Sequence, residues 1–136
     1  GIFFNHESFL RPNNYLIPKI VKFLKDNGKK IELGNIKVAR DWGWAPEYME
    51  IVHKIINKKT PKDLIIATGK SVKINNLLNI AFSKKKLNWK KFVKTNKKYL
   101  RKKDVPVNKI NISELKNHIG YKPQITIDKI LDLMMN

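Results

Sequence analysis

Cysteine is absent from the 136 residues. That excludes a disulfide framework, a thiolate zinc site and a cysteine nucleophile, and it fits a reducing, cytoplasmic setting. Glycine is sparse, with six residues, none adjacent to another, so no glycine-rich phosphate loop can be drawn. Long apolar runs are missing too. Leu64-Ile65-Ile66-Ala67 is typical, far short of a membrane span, and no secretory leader is legible at the start. His6, His53 and His118 lie at spacings that make no metal-ligand pair, so no metal site is expected. Acidic residues are few, 11 against 29 basic ones, for a formal net charge of +18. Within the basic set arginine is the rarity: Arg11, Arg40 and Arg101 stand against lysine everywhere else.

Two of these imbalances point to ligands. A guanidinium grips phosphate or carboxylate through two parallel hydrogen bonds, a geometry lysine cannot copy. Where lysine serves as the default cation, three arginines mark the first places to look for a bound anion. The surplus of positive charge admits a nucleic-acid partner, because counterion release rewards lysine near phosphate. Aromatic residues (Trp89, Phe92, Tyr99) interleave with lysine clusters at Lys84-Lys85-Lys86, Lys90-Lys91 and from Lys97 to Lys103. Yet lysine is spread along most of the chain and no known RNA or DNA module accompanies it, so a lysine-rich solvated surface is the favoured reading.

What is present is enough for one domain, with 42% hydrophobic residues. Gly1-Ile2-Phe3-Phe4-Asn5 reads as a buried strand, so the chain looks like a piece of something larger. A polar loop with Pro12 follows. Apolar spacing predicts a helix over 14–27, with Pro18 in its first turn and Gly28 closing it. Lys30 to Leu33 reads as a short strand. Pro46 opens a second helix with a stripe of Tyr48, Ile51, Val52, Ile55 and Ile56. Asp63 to Thr68 is a strand broken by Gly69, and a third helix carries Ile74, Leu77, Leu78, Ala81 and Phe82. The basic stretch 84–103 reads as loop with short helical pieces. Ser113 is expected to cap a helix ending at Gly120, and Thr126 the last one, with Ile127, Ile130, Leu131 and Met134 inward. The order is mixed α/β, with too few strands for a complete doubly wound sheet. No internal repeat or flexible linker is visible.

Several short motifs carry chemistry. Asn5-His6-Glu7-Ser8 sits where a strand runs out into a polar loop, the place where open α/β folds collect ligands. Leu33-Gly34-Asn35 precedes Arg40-Asp41-Trp42-Gly43, and Arg101 is followed three residues later by Asp104. Phosphates favour guanidinium forks, and a ribose diol favours a carboxylate acceptor. Trp42 and Trp44 read as packing residues at a bend, Asp41 as an anchor for Arg40 or for a backbone amide, and His53 and His118 as structural or solvent-facing. Glu7 is the best local carboxylate, though no partner acid can be assigned to it.

At these residues the chain resembles the GDP-mannose 4,6-dehydratases, nucleotide-sugar enzymes of the extended short-chain dehydrogenase/reductase group. The family pattern Gly-Ile-Leu-Phe-Asn-His-Glu-Ser matches Gly1 to Ser8 with one conservative change. Leu33-Gly34-Asn35, Arg40-Asp41-Trp42-Gly43, Ile66-Ala67-Thr68-Gly69 and Gly120-Tyr121-Lys122-Pro123 follow in the family's order. The resemblance is to the C-terminal portion and covers essentially all 136 residues. It implies an α/β fold: the C-terminal part of an extended Rossmann-like dehydrogenase, a small mixed sheet with helices, the dinucleotide-binding half being absent. The whole stretch would be a nucleotide-sugar binding region beginning at a late Rossmann strand.

The resemblance also implies roles. His6 and Arg11 would touch bound NADP. Asn5 and Lys19 would hold the sugar-nucleotide diphosphate, and Gly34 and Asn35 would line the guanosine pocket. Arg40 and Arg101 would bind phosphate, and Asp104 would stand where the family has a glutamate on the ribose. The implied substrate is GDP-mannose, converted to GDP-4-keto-6-deoxymannose, in an enzyme that forms dimers or tetramers and has no membrane contact. The chain departs from the family where Phe9-Leu10 replaces Pro-Arg, Pro12 replaces glycine, Pro18 stands for arginine, and Lys102-Lys103 replaces Pro-Ala. The catalytic Thr, Glu, Tyr and Lys of the resembled family have no counterpart. The Tyr-x-x-x-Lys spacings at Tyr15 and Tyr99 read as coincidental, since neither follows a strand-plus-serine segment. The isolated chain is therefore expected to bind weakly and to be inactive. The alternatives are a nucleotide-sugar epimerase or dehydratase with another sugar or base, a basic nucleic-acid-binding module, or an inactive remnant.

Overall fold

A computed structural model describes residues 1–100, 104 and 110–136. Its helices follow from apolar spacing. Helix α1 (Leu16–Lys25) buries Ile17, Ile20, Val21 and Leu24 along one face. Pro18 falls in its first turn, where no backbone hydrogen bond is lost. Helix α3 (Ile74–Ser83) buries Leu77, Leu78, Ala81 and Phe82, and α5 (Ile127–Met135) buries Ile130, Leu131 and Met134. These three helices pack against one another around a single apolar cluster. Phe23, Phe82 and Phe92 meet inside it at ring separations of 5.7 to 6.0 Å.

A second, smaller cluster forms where α2 (Ala45–Ile56) meets α4 (Ser113–Ile119). Tyr48, Ile51, Leu64, Ile66 and Leu115 close it. Between the clusters, among the described residues, the strands fall into three small sheets. Strand β2 (Asn5–Glu7) pairs in parallel with β4 (Ala39–Trp44), Asn5 opposite Trp42 and Glu7 opposite Trp44. The far side of β4 pairs antiparallel with β6 (Ser71–Lys73). Strands β1 (Ile2–Phe3) and β5 (Ile65–Ile66) form a parallel pair, as do β3 (Ile31–Leu33) and β7 (Val93–Thr95). The mixed α/β architecture expected from the sequence is present.

Several local expectations needed correction. The opening strand is two strands, broken at Phe4, and Ile2 and Phe3 are 58% and 43% exposed rather than buried. Helix α1 starts at Leu16, not at residue 14. Asn27, at φ 50°, takes the left-handed position that reverses the chain after it, and Gly28 follows by donating to Phe23 O. Arg40-Asp41-Trp42-Gly43 is the middle of a strand rather than a bend. The 63–68 strand contracts to Ile65–Ile66. Ile56 points out, 71% exposed, because it lies past the face that Tyr48 and Ile51 bury. Ser113 begins α4 without capping it; instead Asn111 Oδ1 accepts from the Ser113 amide and hydroxyl. The basic stretch contains β7 as well as the two short 3-10 turns at Trp89–Lys91 and Lys97–Tyr99. Thr126 does cap α5, accepting from Lys129 N, and Gly120 closes α4.

Candidate anion-binding cleft

Strands β2 and β4 end beside the loop that leads into α1, and β3 ends across from them. The gap is a cleft of about 340 Å³. Of the nine residues singled out by the resemblance, Asn5, Arg11, Lys19, Gly34, Asn35, Arg40 and Asp104 all line it. Arg101 lies outside the described residues. His6 is the exception: its Nδ1 donates to Phe4 O at 2.8 Å, and its ring packs on Tyr48 and Phe3, away from the cleft lining.

Each lining group is held by a definite contact. Asn5 Nδ2 donates to Asp41 O across the β2–β4 pair. Lys19 Nζ donates to the Glu32 carbonyl at 2.7 Å and lies 4.5 Å above the Tyr99 ring. Neither of these contacts is with a charged atom, while the Glu32 carboxylate acts on the ammonium through space. Arg40 donates to Ala39 O at 2.7 Å and pairs with the Asp104 carboxylate, both side chains being 16% exposed. Asn35 Oδ1 accepts from Lys37 N, a side-chain turn that fixes the loop after β3. Gly34 is required by close approach. A Cβ there would meet the Tyr99 carbonyl oxygen at 2.4 Å.

Among the lining residues to which sequence reasoning assigned no site role are Tyr15, Tyr99, Glu32 and Glu7. The Arg11 guanidinium lies 4.0 Å over the Tyr15 ring and donates to His6 O. Glu32 accepts from Lys30 and Asn96, and those hydrogen bonds, Lys30 first, hold its carboxyl below the usual range. Glu7, 1% exposed, is pushed up to about 7 by burial, with Arg11 opposing. The four-residue step from Glu7 to Arg11 to Tyr15 was visible in the sequence, but nothing there marked it as a contact.

The remaining motif residues support this site from behind. Asp41, fully buried, accepts from Thr68 N, Thr68 Oγ1 and Lys70 N. Burial nevertheless raises its carboxyl above the ordinary value. Glu47, in the first turn of α2, accepts from the amides of Gln124 and Ile125. Thus Asp41 ties Arg-Asp-Trp-Gly to Ala-Thr-Gly, and Glu47 reaches the Tyr121 hydroxyl and the amides that follow Gly-Tyr-Lys-Pro. At Gly43 a Cβ would lie 2.2 Å from the Tyr48 ring. Burial, with the nearby Asp41 and Glu47 carboxylates, pushes the Tyr48 hydroxyl up. The cleft sets the cations Arg11, Lys19 and Arg40 beside the carboxylates Glu7, Glu32 and Asp104, with hydrogen-bonding groups from Asn5 and Asn35 between them. It shows no nucleophile–base pair among the described residues.

The sequence model of the GDP-mannose 4,6 dehydratase family matches residues 1–134. The chain is 34% identical to GDP-mannose 4,6 dehydratase 1 of Arabidopsis thaliana over all of its own length and 39% of that protein's. Among solved structures it is similar to dTDP-glucose 4,6-dehydratase of Bacillus anthracis in complex with NAD, at TM-score 0.84 and 16% identity over 98% of this chain and 41% of that one. It is also similar to RMD of Pseudomonas aeruginosa complexed with NADPH, at TM-score 0.83 and 17% identity over 98% and 45%. The chain thus spans about two fifths of the curated relative it matches, and its fold is that of the corresponding part of these larger enzymes.

Proposed function

The chain belongs to the GDP-mannose 4,6-dehydratase family, and from that membership we propose that it is the substrate-binding part of such an enzyme. The observation that carries the reading is convergence: Asn5, Lys19 and Arg40, distant in sequence, line one cleft with Gly34, Asn35 and Asp104. In this reading Lys19 and Arg40 take the diphosphate. Lys19 acts as a point charge and Arg40 as a fork. Asp104, now on Arg40, turns to the ribose hydroxyls once phosphate occupies the guanidinium. Gly34 and Asn35 offer backbone and amide groups to the base, and Asn5 hydrogen-bonds the sugar-diphosphate end. Arg101 joins them in the proposal on the strength of the resemblance.

NADP, when bound, supplies the hydride transfers by which such enzymes make GDP-4-keto-6-deoxymannose. This chain offers that cofactor an edge rather than a cradle. Arg11 fits the role, because its buried Nε has no hydrogen-bond partner while its other contacts hold the group at the cleft wall. His6 stays in the proposal on the strength of the resemblance alone, since its ring packs on Phe3 and Tyr48. Proton-moving chemistry needs the Thr, Glu, Tyr and Lys of another segment, so the chain alone binds without turnover. A dimeric or tetrameric full enzyme and a cytoplasmic setting complete the proposal.

Thermal shift tests it. GDP-mannose is expected to raise Tm, and Arg40→Lys is expected to abolish most of that rise, since binding to the native state alone stabilises by mass action. A wild-type chain indifferent to GDP-mannose and to dTDP- and UDP-sugars overturns the reading, as does turnover by this polypeptide alone. A response to another nucleotide sugar reassigns the base. Salt-sensitive duplex binding without any such response moves the protein to the nucleic-acid class.

A further inference from the structure

On one wall of the cleft, Glu7 and Arg11 face each other without completing a hydrogen bond. Glu7 Oε2 lies 3.4 Å from Arg11 Nε, and neither atom has a hydrogen-bond partner. The Glu7 side chain is 2% exposed and the Arg11 side chain 22%. Arg11 is the more accessible of the two, with Nη1 on His6 O and its plane over Tyr15. A buried carboxylate in this position has one source of stabilisation, and that source is a group an incoming anion will also seek.

We propose that Glu7 is a proton-linked positioning residue of the anion cleft: as a carboxylate it holds Arg11 in place, and when an anion takes Arg11 it accepts a proton from solvent and stays buried as a neutral acid. The inference rests on the anion-cleft reading above and adds a residue to which the resemblance assigns no role. The other ionisable groups packed around Glu7 have their own partners. On its own strand, His6 bonds to Phe4 O. From β4, Arg40 pairs with Asp104 and Asp41 accepts from Thr68 and Lys70. From α2, Glu47 takes the Gln124 and Ile125 amides, and Tyr48 stays protonated. Across the cleft are Lys19 and Glu32, each with partners of its own. Arg11 is the charge that acts on Glu7, and it opposes burial. An anion on Arg11 cancels that opposition, so burial then dominates and the carboxyl binds a proton more tightly.

The test uses sulfate, which does not titrate near neutrality, and GDP-mannose as a second probe. In the wild-type chain with 13C-labelled glutamate carboxyls, the Glu7 midpoint is expected to rise by about half a unit or more on saturation with sulfate. Sulfate affinity is expected to fall as pH rises from about 6 to 8, and calorimetry in buffers of different ionisation enthalpy to show proton uptake. Glu7→Gln is expected to lose the uptake and flatten the profile. An unchanged Glu7 midpoint with sulfate bound overturns the proposal, as does a Glu7→Gln variant keeping the wild-type slope. Should that variant fail to fold, the wild-type carboxyl titration decides alone. Linkage with sulfate but no GDP-mannose binding leaves Glu7's role standing and removes the nucleotide-sugar reading. GDP-mannose binding together with a Glu7 midpoint that sulfate leaves unmoved does the reverse.

Discussion

Gly34 tolerates no side chain, because the atom a Cβ would strike is backbone: the Tyr99 carbonyl at 2.4 Å. Gly34→Ala must push the Tyr99 segment outward. It is expected to cost about 1–3 kcal/mol in melts, as overpacking does, and to weaken ligand binding by unseating the ring that faces Lys19. Glu7 yields a prediction with a definite sign. Its carboxyl is raised from 4.5 to about 7 in the folded protein, so the native state holds more protons than the unfolded state between those values. The contribution is favourable at low pH and is lost as pH climbs through this window, by at most about 3 kcal/mol. Asp41 shifts in the same direction. Glu7→Gln should melt like wild type near pH 4.5 and higher than wild type at pH 8, in paired Tm curves. At this scale the sequence marked Arg40 by residue type and Asn5 by the motif it opens. It could not mark Tyr15 or Tyr99, because an aromatic residue in a polar loop carries no sign of the cation it will face.

Among the elements, α2 depends on Glu47 for its link to the segment entering α5. Two backbone amides, Gln124 and Ile125, donate to this 6% exposed carboxylate. Glu47→Ala leaves them unpaired and is expected to cost about 2–3 kcal/mol, with hydrogen-exchange protection falling first at residues 124–125. The helices were legible because an apolar face repeats over three turns and each repeat reinforces the assignment. The short strands were not. Strand β4 carries Arg40, Asp41 and Gly43, residues that local preference keeps out of strands, and it forms because β2 and β6 pair with its two edges. Strand β7 is three residues inside a lysine-rich run, and pairing with β3 creates it.

For the whole molecule, a formal charge of +18 makes the folded state repel itself. Adding sodium chloride from low ionic strength should raise Tm while weakening anion binding, opposite trends that one salt series can record. No helix among the described residues is long and apolar enough to cross a membrane. The sequence by itself determined the helices, the α/β class, the family and seven of the lining residues, because apolar periodicity and short motifs are local properties that survive without coordinates. Only the tertiary structure decided that Asn5, Lys19, Arg40 and Asp104 share a cleft, that His6 turns out of it, and that Glu7 is sealed against Arg11. Those outcomes depend on which strand ends are brought side by side, and strand pairing is settled by contacts between segments far apart in the chain.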